Sequence, residues 1–258
     1  MNTFSNFFKI LLFALLFIAC KSDDNGNTPE DLTEANKQSL GASAEDLLSS
    51  GDFESLTIEF VYAEGFRPNT QSINDFIAFL ETRVNKTDGI SVVETVIDPP
   101  GNTPFTIQEI VQIEEQNRTQ YNSGQNIAVY IFFANGSSSN DTSTKVTLGS
   151  AYRNTSIVIY EKTLQNLNEE GLNLITLETS TLNHEFGHLF GLVNIVQDDI
   201  HTDHEDVENA KHCNVEECLM YFESAGSRTA VMNRFFEKNS VDQLDALCIE
   251  DLQAKGGL

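Results

Sequence analysis

The chain has 258 residues and a formal net charge of −24, from 15 basic and 39 acidic side chains, with no tryptophan. This length accommodates one large domain or two small ones, with enough apolar content for a core. The charge argues against nucleic acid as a partner and against electrostatic docking to anionic lipid, because no basic patch forms on such a background. We therefore expect a soluble chain that works outside the cytoplasm.

The N-terminus carries the pattern of an export signal. Lys9 precedes an apolar run at 10–19, which is too short to cross a bilayer as a helix but suits the core of a signal peptide. The run ends at Cys20 in a manner that resembles a bacterial lipobox. We predict a lipoprotein signal peptide at 1–19 and a flexible acidic tether at 20–50, with the protein held at the outer membrane surface by lipid alone. An ordinary signal peptide, or a cytosolic chain with an apolar start, is the alternative.

The remaining residues, 51–258, are predicted to form one α+β domain. Apolar and β-branched runs alternate with segments of helical periodicity. In chain order the predicted elements are a strand at 55–63, a helix at 70–85, a strand at 90–97, a helix at 105–121, strands at 127–134, 146–152 and 155–160, and a helix at 172–190. This order indicates a mixed, twisted five-stranded sheet with packed helices, the last helix lying beneath it.

All five histidines of the chain lie between His184 and His212. His184 and His188 are one helical turn apart, so both imidazoles project from one face of the last predicted helix and reach a single zinc ion. Glu185 lies on the adjoining side, where a carboxylate can take a proton from water. A lone histidine is more often structural, but this cluster favours a metal site.

The residues after the helix restrict the third ligand. Gly191 completes His-Glu-x-x-His-x-x-Gly, the opening of the metzincin pattern, but the third histidine of that pattern is replaced by Asn194, a poor zinc ligand. The segment 212–220, His-Cys-Asn-Val-Glu-Glu-Cys-Leu-Met, resembles the His-Cys-x4-Cys-x-Met continuation of archaemetzincins, displaced by 18 residues. Residues 194–211 would then be an insertion, which is tolerated because loop-closure entropy grows slowly with length.

This resemblance to archaemetzincins implies a metzincin-type zincin fold with a small irregular C-terminal subdomain, and the activity of a zinc-dependent endopeptidase. It implies that His212 is the third ligand of the catalytic zinc, that Met220 forms the Met-turn beneath it, and that Glu185 is the general base. The peptide substrate would lie along an edge strand, here the predicted strand at 146–152. Tyr221 is a candidate donor to the oxyanion, although simple packing is the commoner role. We expect a monomer.

The same resemblance implies a second, structural zinc. Archaemetzincins close that site with Cys-x-x-Cys near the C-terminus, where this chain has Asp245 in place of the first cysteine. Cys213, Cys218, Asp245 and Cys248 could still form a Cys₃Asp site, since a carboxylate is an acceptable zinc ligand. If Cys20 carries lipid, three thiols remain, and one disulfide with one free cysteine is the alternative.

Other assignments of the catalytic metal stay open. His201 or His204, both in the insertion, could replace His212 as the third ligand. Glu208 could serve instead as the carboxylate ligand of a gluzincin-like hydrolase. The protein could also be a surface lipoprotein that holds zinc structurally and binds a ligand or another protein without hydrolysis.

Overall fold

The computed structural model describes residues 33–101, 103–221, 227–237 and 240–258, which belong to one compact unit. The strands are β1 (Ser55–Ala63), β2 (Gly89–Ile97), β3 (Asn126–Phe133), β4 (Gly149–Arg153) and β5 (Ser156–Ile159). The α-helices are α1 (Ala44–Leu48), α2 (Thr70–Glu81), α3 (Ile107–Asn117), α4 (Glu161–Glu169), α5 (Leu174–Leu189), α6 (Arg228–Glu237) and α7 (Ala246–Ala254). None of the helices in these ranges is both long enough and apolar enough to cross a membrane. The predicted signal peptide and Cys20 lie outside the described residues.

The five strands form one mixed sheet in the order β2-β1-β3-β5-β4. β2, β1, β3 and β5 run parallel to one another, and β4 pairs antiparallel with β5 at the edge. This confirms the predicted five-stranded mixed sheet. β4 begins later than the predicted strand at 146–152, because Thr147 and Leu148 bond to the preceding loop and to Tyr160 rather than to a strand partner.

Side chains of β3 alternate between two buried clusters on opposite faces of the sheet. Ile131 and Phe133 join the larger cluster, which α2 and α5 cover, whereas Tyr130 and Phe132 join a smaller one beneath α3. Aromatic rings link the layers of the larger cluster. Phe76 of α2 lies 5.5 Å from the ring of Phe186 in α5 and 6.1 Å from that of Phe60 in β1. The sheet thereby fixes the position of α5.

The packed part of the chain begins before the predicted boundary at residue 51. Asn36 is fully buried, and its side-chain amide donates to the Ala128 carbonyl and the Thr155 hydroxyl. Leu47 and Leu48 of α1 are also fully buried in the core. The predicted tether at 20–50 is therefore too long, because these side chains satisfy their polar and apolar groups inside the fold.

The chain between β5 and α5 also differs from expectation. α4 was not predicted, although its two buried leucines, Leu164 and Leu167, stand three residues apart on one helix face. α5 begins at Leu174, two residues after the predicted start, because the Asn173 side chain accepts the amide of Thr176 and caps the helix there.

Candidate metal centre

α5 carries the His-Glu-x-x-His segment and ends sharply after it. The Gly191 amide donates to the His188 carbonyl and the Leu192 amide donates to the Gly187 carbonyl, the paired bonds of a Schellman motif. Gly191 has φ of 73°, which a side chain would strain. This turn directs the chain back beneath the histidines.

Three imidazoles converge at the C-terminal end of α5. One ring nitrogen from each of His184, His188 and His212 lies within 4.8 Å of the others. The ring centroids are 4.8 Å apart for His184 and His188, 5.4 Å for His184 and His212, and 5.2 Å for His188 and His212. The structure thus brings together the three histidines that the sequence nominates.

Hydrogen bonds orient two of these rings. His184 Nδ1 lies 2.8 Å from the Leu219 carbonyl, and His212 Nδ1 lies 3.2 Å from the Ala210 carbonyl. Since a carbonyl only accepts, each Nδ1 carries the proton and each Nε2 carries the lone pair that a metal would bind. A backbone acceptor behind a ligating imidazole is a usual feature of metal sites.

Burial keeps the two helical histidines neutral. Burial, reinforced by nearby His212, lowers the pKa of His184 to about 3. The pKa of His188 falls well below its ordinary value for the same reason, with smaller effects of His184 and His212. A metal requires the neutral imidazole, so three such side chains fit a divalent ion that prefers nitrogen ligands, as zinc does.

Glu185 is 4 % exposed and lies between α5 and the edge strand. Its Oε2 accepts the Ala151 amide of β4 at 2.7 Å. Burial raises the pKa of Glu185 to about 8, and the Ala151 hydrogen bond offsets part of that rise. The close approach depends on Gly149, where a Cβ would lie 2.7 Å from Glu185 Cγ. A carboxyl with a pKa near neutrality is suited to accept and release a proton.

Met220 lies directly beneath the histidines. It is fully buried, and a Cβ on Gly187 of α5 would lie only 2.4 Å from its sulfur. The glycine between the two helical histidines therefore lets the methionine pack against the helix.

A cavity of about 280 Å³ opens over the histidines and Glu185. Its wall includes Gly149, Ser150 and Ala151 of the edge strand, and the side chains of Lys145 and Lys211 border it. Neither lysine was nominated from the sequence, where isolated basic residues carry no signal.

Tyr221 is not among the described residues that line this cavity. Its ring packs against the Arg234 guanidinium, 5.2 Å from the ring centroid. The ring therefore has a packing partner in Arg234.

The insertion at 194–211 is tied to the domain, and its other candidate ligands lie elsewhere. The Asn194 side chain donates to Glu205 at 2.7 Å, within the insertion. His201 pairs with Glu250 at 2.8 Å. Glu208 is exposed and lies outside the group formed by the three converging histidines. Of the residues weighed for the third ligand, the structure places His212 beside the helical pair.

A second cluster lies behind the first. Cys213, Cys218 and Cys248 are fully buried free thiols, and the Sγ atoms of Cys218 and Cys248 are 3.7 Å apart, so no disulfide joins them. Hydrogen bonds from the other two thiols lower the pKa of Cys218 to about 5. Asp245 Oδ2 lies 2.9 Å from Cys213 Sγ. The structure adds His204, which groups with Cys213, Asp245 and Cys248.

The observed architecture is the zincin-like fold expected from the sequence. A mixed five-stranded sheet packs on a helix that carries His-Glu-x-x-His and ends in a glycine turn. An archaemetzincin from Methanopyrus kandleri has a similar fold, with a TM-score of 0.50 over 80 % of this chain and 96 % of that one, at 15 % sequence identity. No protein-family model and no curated protein sequence matches the chain. The similarity to archaemetzincin shows the fold.

Proposed function

We propose that the protein is a zinc-dependent endopeptidase. The observation that supports this most strongly is the convergence of three imidazoles beside the buried carboxyl of Glu185, in a cavity that an edge strand borders. His184, His188 and His212 would hold the ion. A zinc ion bound there supplies a Lewis acid that polarises a peptide carbonyl and makes a water molecule more acidic.

Glu185 has the position and the environment of a general base. Its Oε2 accepts the Ala151 amide, and Glu185 lines the cavity together with the histidines. It would take the proton of the attacking water and return it to the leaving amine. Because the hydrogen bond fixes the carboxylate, little reorganisation is needed during that transfer.

The edge strand β4 offers a binding surface for an extended peptide. It pairs with β5 on one side, and the structure describes no strand on its other side. Gly149, Ser150 and Ala151 line the cavity, so a peptide added antiparallel or parallel to β4 would pass directly over Glu185. Main-chain hydrogen bonds of this type give affinity without demanding a particular sequence.

We also propose that lipid on Cys20 anchors the enzyme, as a monomer, at the outer membrane surface. The apolar run at 10–19 and the acidic residues that follow Cys20 support this location. Radiolabelled palmitate incorporation tests it, with Cys20→Ser as the control. Labelling that survives this substitution would refute the assignment.

Glu185→Gln tests the catalytic proposal. Glutamine keeps the acceptor for the Ala151 amide but cannot take a proton, so cleavage of a peptide library should fall by about 10²–10⁴-fold. Metal analysis should show that the variant retains zinc. Glu217→Gln, which removes an exposed carboxylate on the nearby segment, is the matched control and should cleave normally.

Each alternative gives a distinct result. Unchanged cleavage by Glu185→Gln would exclude this residue as the base. A wild-type protein that binds zinc stoichiometrically but cleaves no member of the library would favour a non-catalytic binding protein.

A further inference from the structure

We propose that His204, supplied by the insertion, is the fourth ligand of a second zinc site with Cys213, Cys218 and Cys248. In this arrangement Asp245 is not a ligand. The inference concerns the ligand set that this chain uses, and it does not depend on peptidase activity. Four observations support it: interatomic distances, the orientation of the imidazole, hydrogen bonds to sulfur, and the separate role of Asp245.

The distances match the edges of a zinc tetrahedron. With Zn–S and Zn–N lengths of about 2.3 and 2.0 Å, a tetrahedral site has S–S edges of about 3.8 Å and N–S edges of about 3.5 Å. His204 Nδ1 lies 3.5 Å from Cys213 Sγ and 3.7 Å from Cys248 Sγ. The Sγ atoms of Cys218 and Cys248 are 3.7 Å apart. The His204 nitrogen thus stands at ligand spacing from the sulfurs of Cys213 and Cys248, and the Cys218 sulfur stands at ligand spacing from that of Cys248.

The imidazole of His204 is oriented with its lone pair toward the sulfurs. The ring is 2 % exposed, and its Nε2 lies 3.0 Å from Oδ2 of the fully buried Asp251. A carboxylate accepts this hydrogen bond, so Nε2 carries the proton and Nδ1, which faces Cys213 and Cys248, is free to bind a cation. A carboxylate behind a histidine ligand fixes the tautomer and raises the basicity of the ring.

Backbone amides stabilise thiolate forms at two of the cysteines. The Val215 amide donates to Cys213 Sγ, and the Met220 amide donates to Cys218 Sγ, each at 3.4 Å and each from two residues further along the chain. The Asp245 amide also donates to Cys218 Sγ at 3.4 Å. Such bonds favour the negatively charged sulfur that a metal requires.

Asp245 has a different task. Its Oδ1 accepts the amides of Leu247 and Cys248 and caps α7. Its Oδ2 is 2.9 Å from Cys213 Sγ and 3.9 Å from His204 Nδ1, whereas a shared tetrahedron would give about 3.5 and 3.3 Å. The short distance between Asp245 Oδ2 and Cys213 Sγ fits a hydrogen bond. The long distance between Asp245 Oδ2 and His204 Nδ1 does not fit two ligands of the same metal ion.

The second site would connect the insertion to the catalytic histidine. His204 and Cys213 lie on adjacent extended segments, joined by the bond from the Asn214 amide to the His204 carbonyl and the bond from the Asp206 amide to the His212 carbonyl. Since Cys213 follows His212 directly, a metal that fixes Cys213 also fixes the backbone that presents His212. The insertion thereby supplies a ligand where the sequence has lost a cysteine.

Cobalt binding to the purified full-length protein tests the ligand set. Thiolate-to-cobalt charge-transfer absorption reports only the cysteine site, because the catalytic site has no sulfur ligand. Wild-type protein should bind two Co²⁺ ions, one of them with this absorption. His204→Ala should lose the thiolate-to-cobalt band, or lower the Zn²⁺ affinity of that site, measured by competition with Co²⁺, by at least 100-fold. Asp245→Asn, which keeps the helix cap, should retain both the band and the wild-type Zn²⁺ affinity.

Two further variants keep the test decisive if His204→Ala folds poorly. His204→Cys should restore a tetrahedral site and its thiolate band, with a spectrum shifted toward four-sulfur coordination. Asp251→Asn should weaken Zn²⁺ at this site by about 10–100-fold, as expected for a residue that orients a ligand. His201→Ala, a nearby histidine of the insertion, is the control and should bind as wild type.

The opposite outcomes overturn the inference. Loss of the band in Asp245→Asn with retention in His204→Ala would assign a Cys₃Asp site. If both His204→Ala and Asp245→Asn retain the thiolate band, or if both lose it, His204 is excluded as the single fourth ligand. Failure of catalysis in a protein that shows all the predicted metal spectra would count against the proposed peptidase function alone.

Discussion

A buried pair of carboxyl groups should make the stability of the protein depend on pH. Glu161, the first residue of α4, is fully buried and faces Glu178 of α5, whose Oε2 accepts the Asn69 amide at 2.9 Å. Burial, together with the neighbouring Glu178, raises the pKa of Glu161 from 4.5 to about 9. Glu161 is therefore protonated in the folded protein at neutral pH but ionised in the unfolded chain.

The sign of the effect follows from proton linkage. Between pH 4.5 and 9 the folded state binds one more proton at Glu161 than the unfolded state, so the free energy of unfolding falls as pH rises. The slope for one proton is about 1.4 kcal/mol per pH unit, which amounts to about 4 kcal/mol between pH 5 and pH 8 as an upper limit. Glu161→Gln removes this proton while keeping the shape of the side chain.

Urea unfolding of both proteins at pH 5, 6.5 and 8, at one fixed zinc concentration, measures the difference. The variant should become progressively more stable than the wild type as pH rises. Glu169→Gln, an exposed position on the same helix, should show a constant difference near zero. A difference for Glu161→Gln that does not change with pH would refute the assignment of a protonated carboxyl at this position.

Four further substitutions test the geometry of the proposed catalytic site. His212→Ala should abolish stoichiometric zinc at that site while Glu208→Ala leaves it bound, as measured by metal analysis after dialysis; the reverse result would favour a gluzincin-like ligand set. Gly187→Ala should lower the melting temperature, since its Cβ would lie 2.4 Å from Met220 Sδ and overpacking of this kind costs about 1–3 kcal/mol. A wild-type melting temperature would show that Met220 moves freely. Gly149→Ala should reduce kcat more than thermal stability, because its Cβ would displace the general base; an unchanged kcat would contradict this.

Strong periodic patterns predicted most of the fold. The strand at 55–63 coincides with β1, and the apolar run at 127–134 is β3 to within one residue, because these segments are buried on both faces and carry few polar interruptions. The edge strand was placed three residues too early, since Val146, Thr147 and Leu148 have a strand-like pattern but Thr147 and Leu148 bond outside the sheet ladder. α4 was missed because it is short and has only two apolar residues, although Leu164 and Leu167 share one helix face.

The beginning of the domain was missed for a different reason. Residues 33–50 are polar and short of apolar periodicity, which is typical of a tether. Their order comes from a few long-range bonds, such as those of Asn36 to Ala128 and Thr155, which lie 92 and 119 residues away. No local pattern carries information about bonds of this kind.

The convergence of the three histidines could be predicted because their spacing is local. His184 and His188 are set by one turn of α5, and His212 by the short segment that ends at the Met-turn. The second cluster has no such local rule. His204 meets Cys248, 44 residues later, and Asp251, 47 residues later, so its role becomes visible only when the insertion is placed against α7.

The insertion also shows why its length matters less than its attachments. Closing a longer loop costs little, since the entropy grows with the logarithm of its length. A loop held only at its ends would leave the position of His212 poorly defined. Here the Lys255 ammonium pairs with Asp199, and His204 pairs with buried Asp251, so two points of the insertion are fixed to the C-terminal helix and the turn after it. These attachments let the third histidine reach the other two across 18 extra residues, because each shortens the free chain that thermal motion can displace.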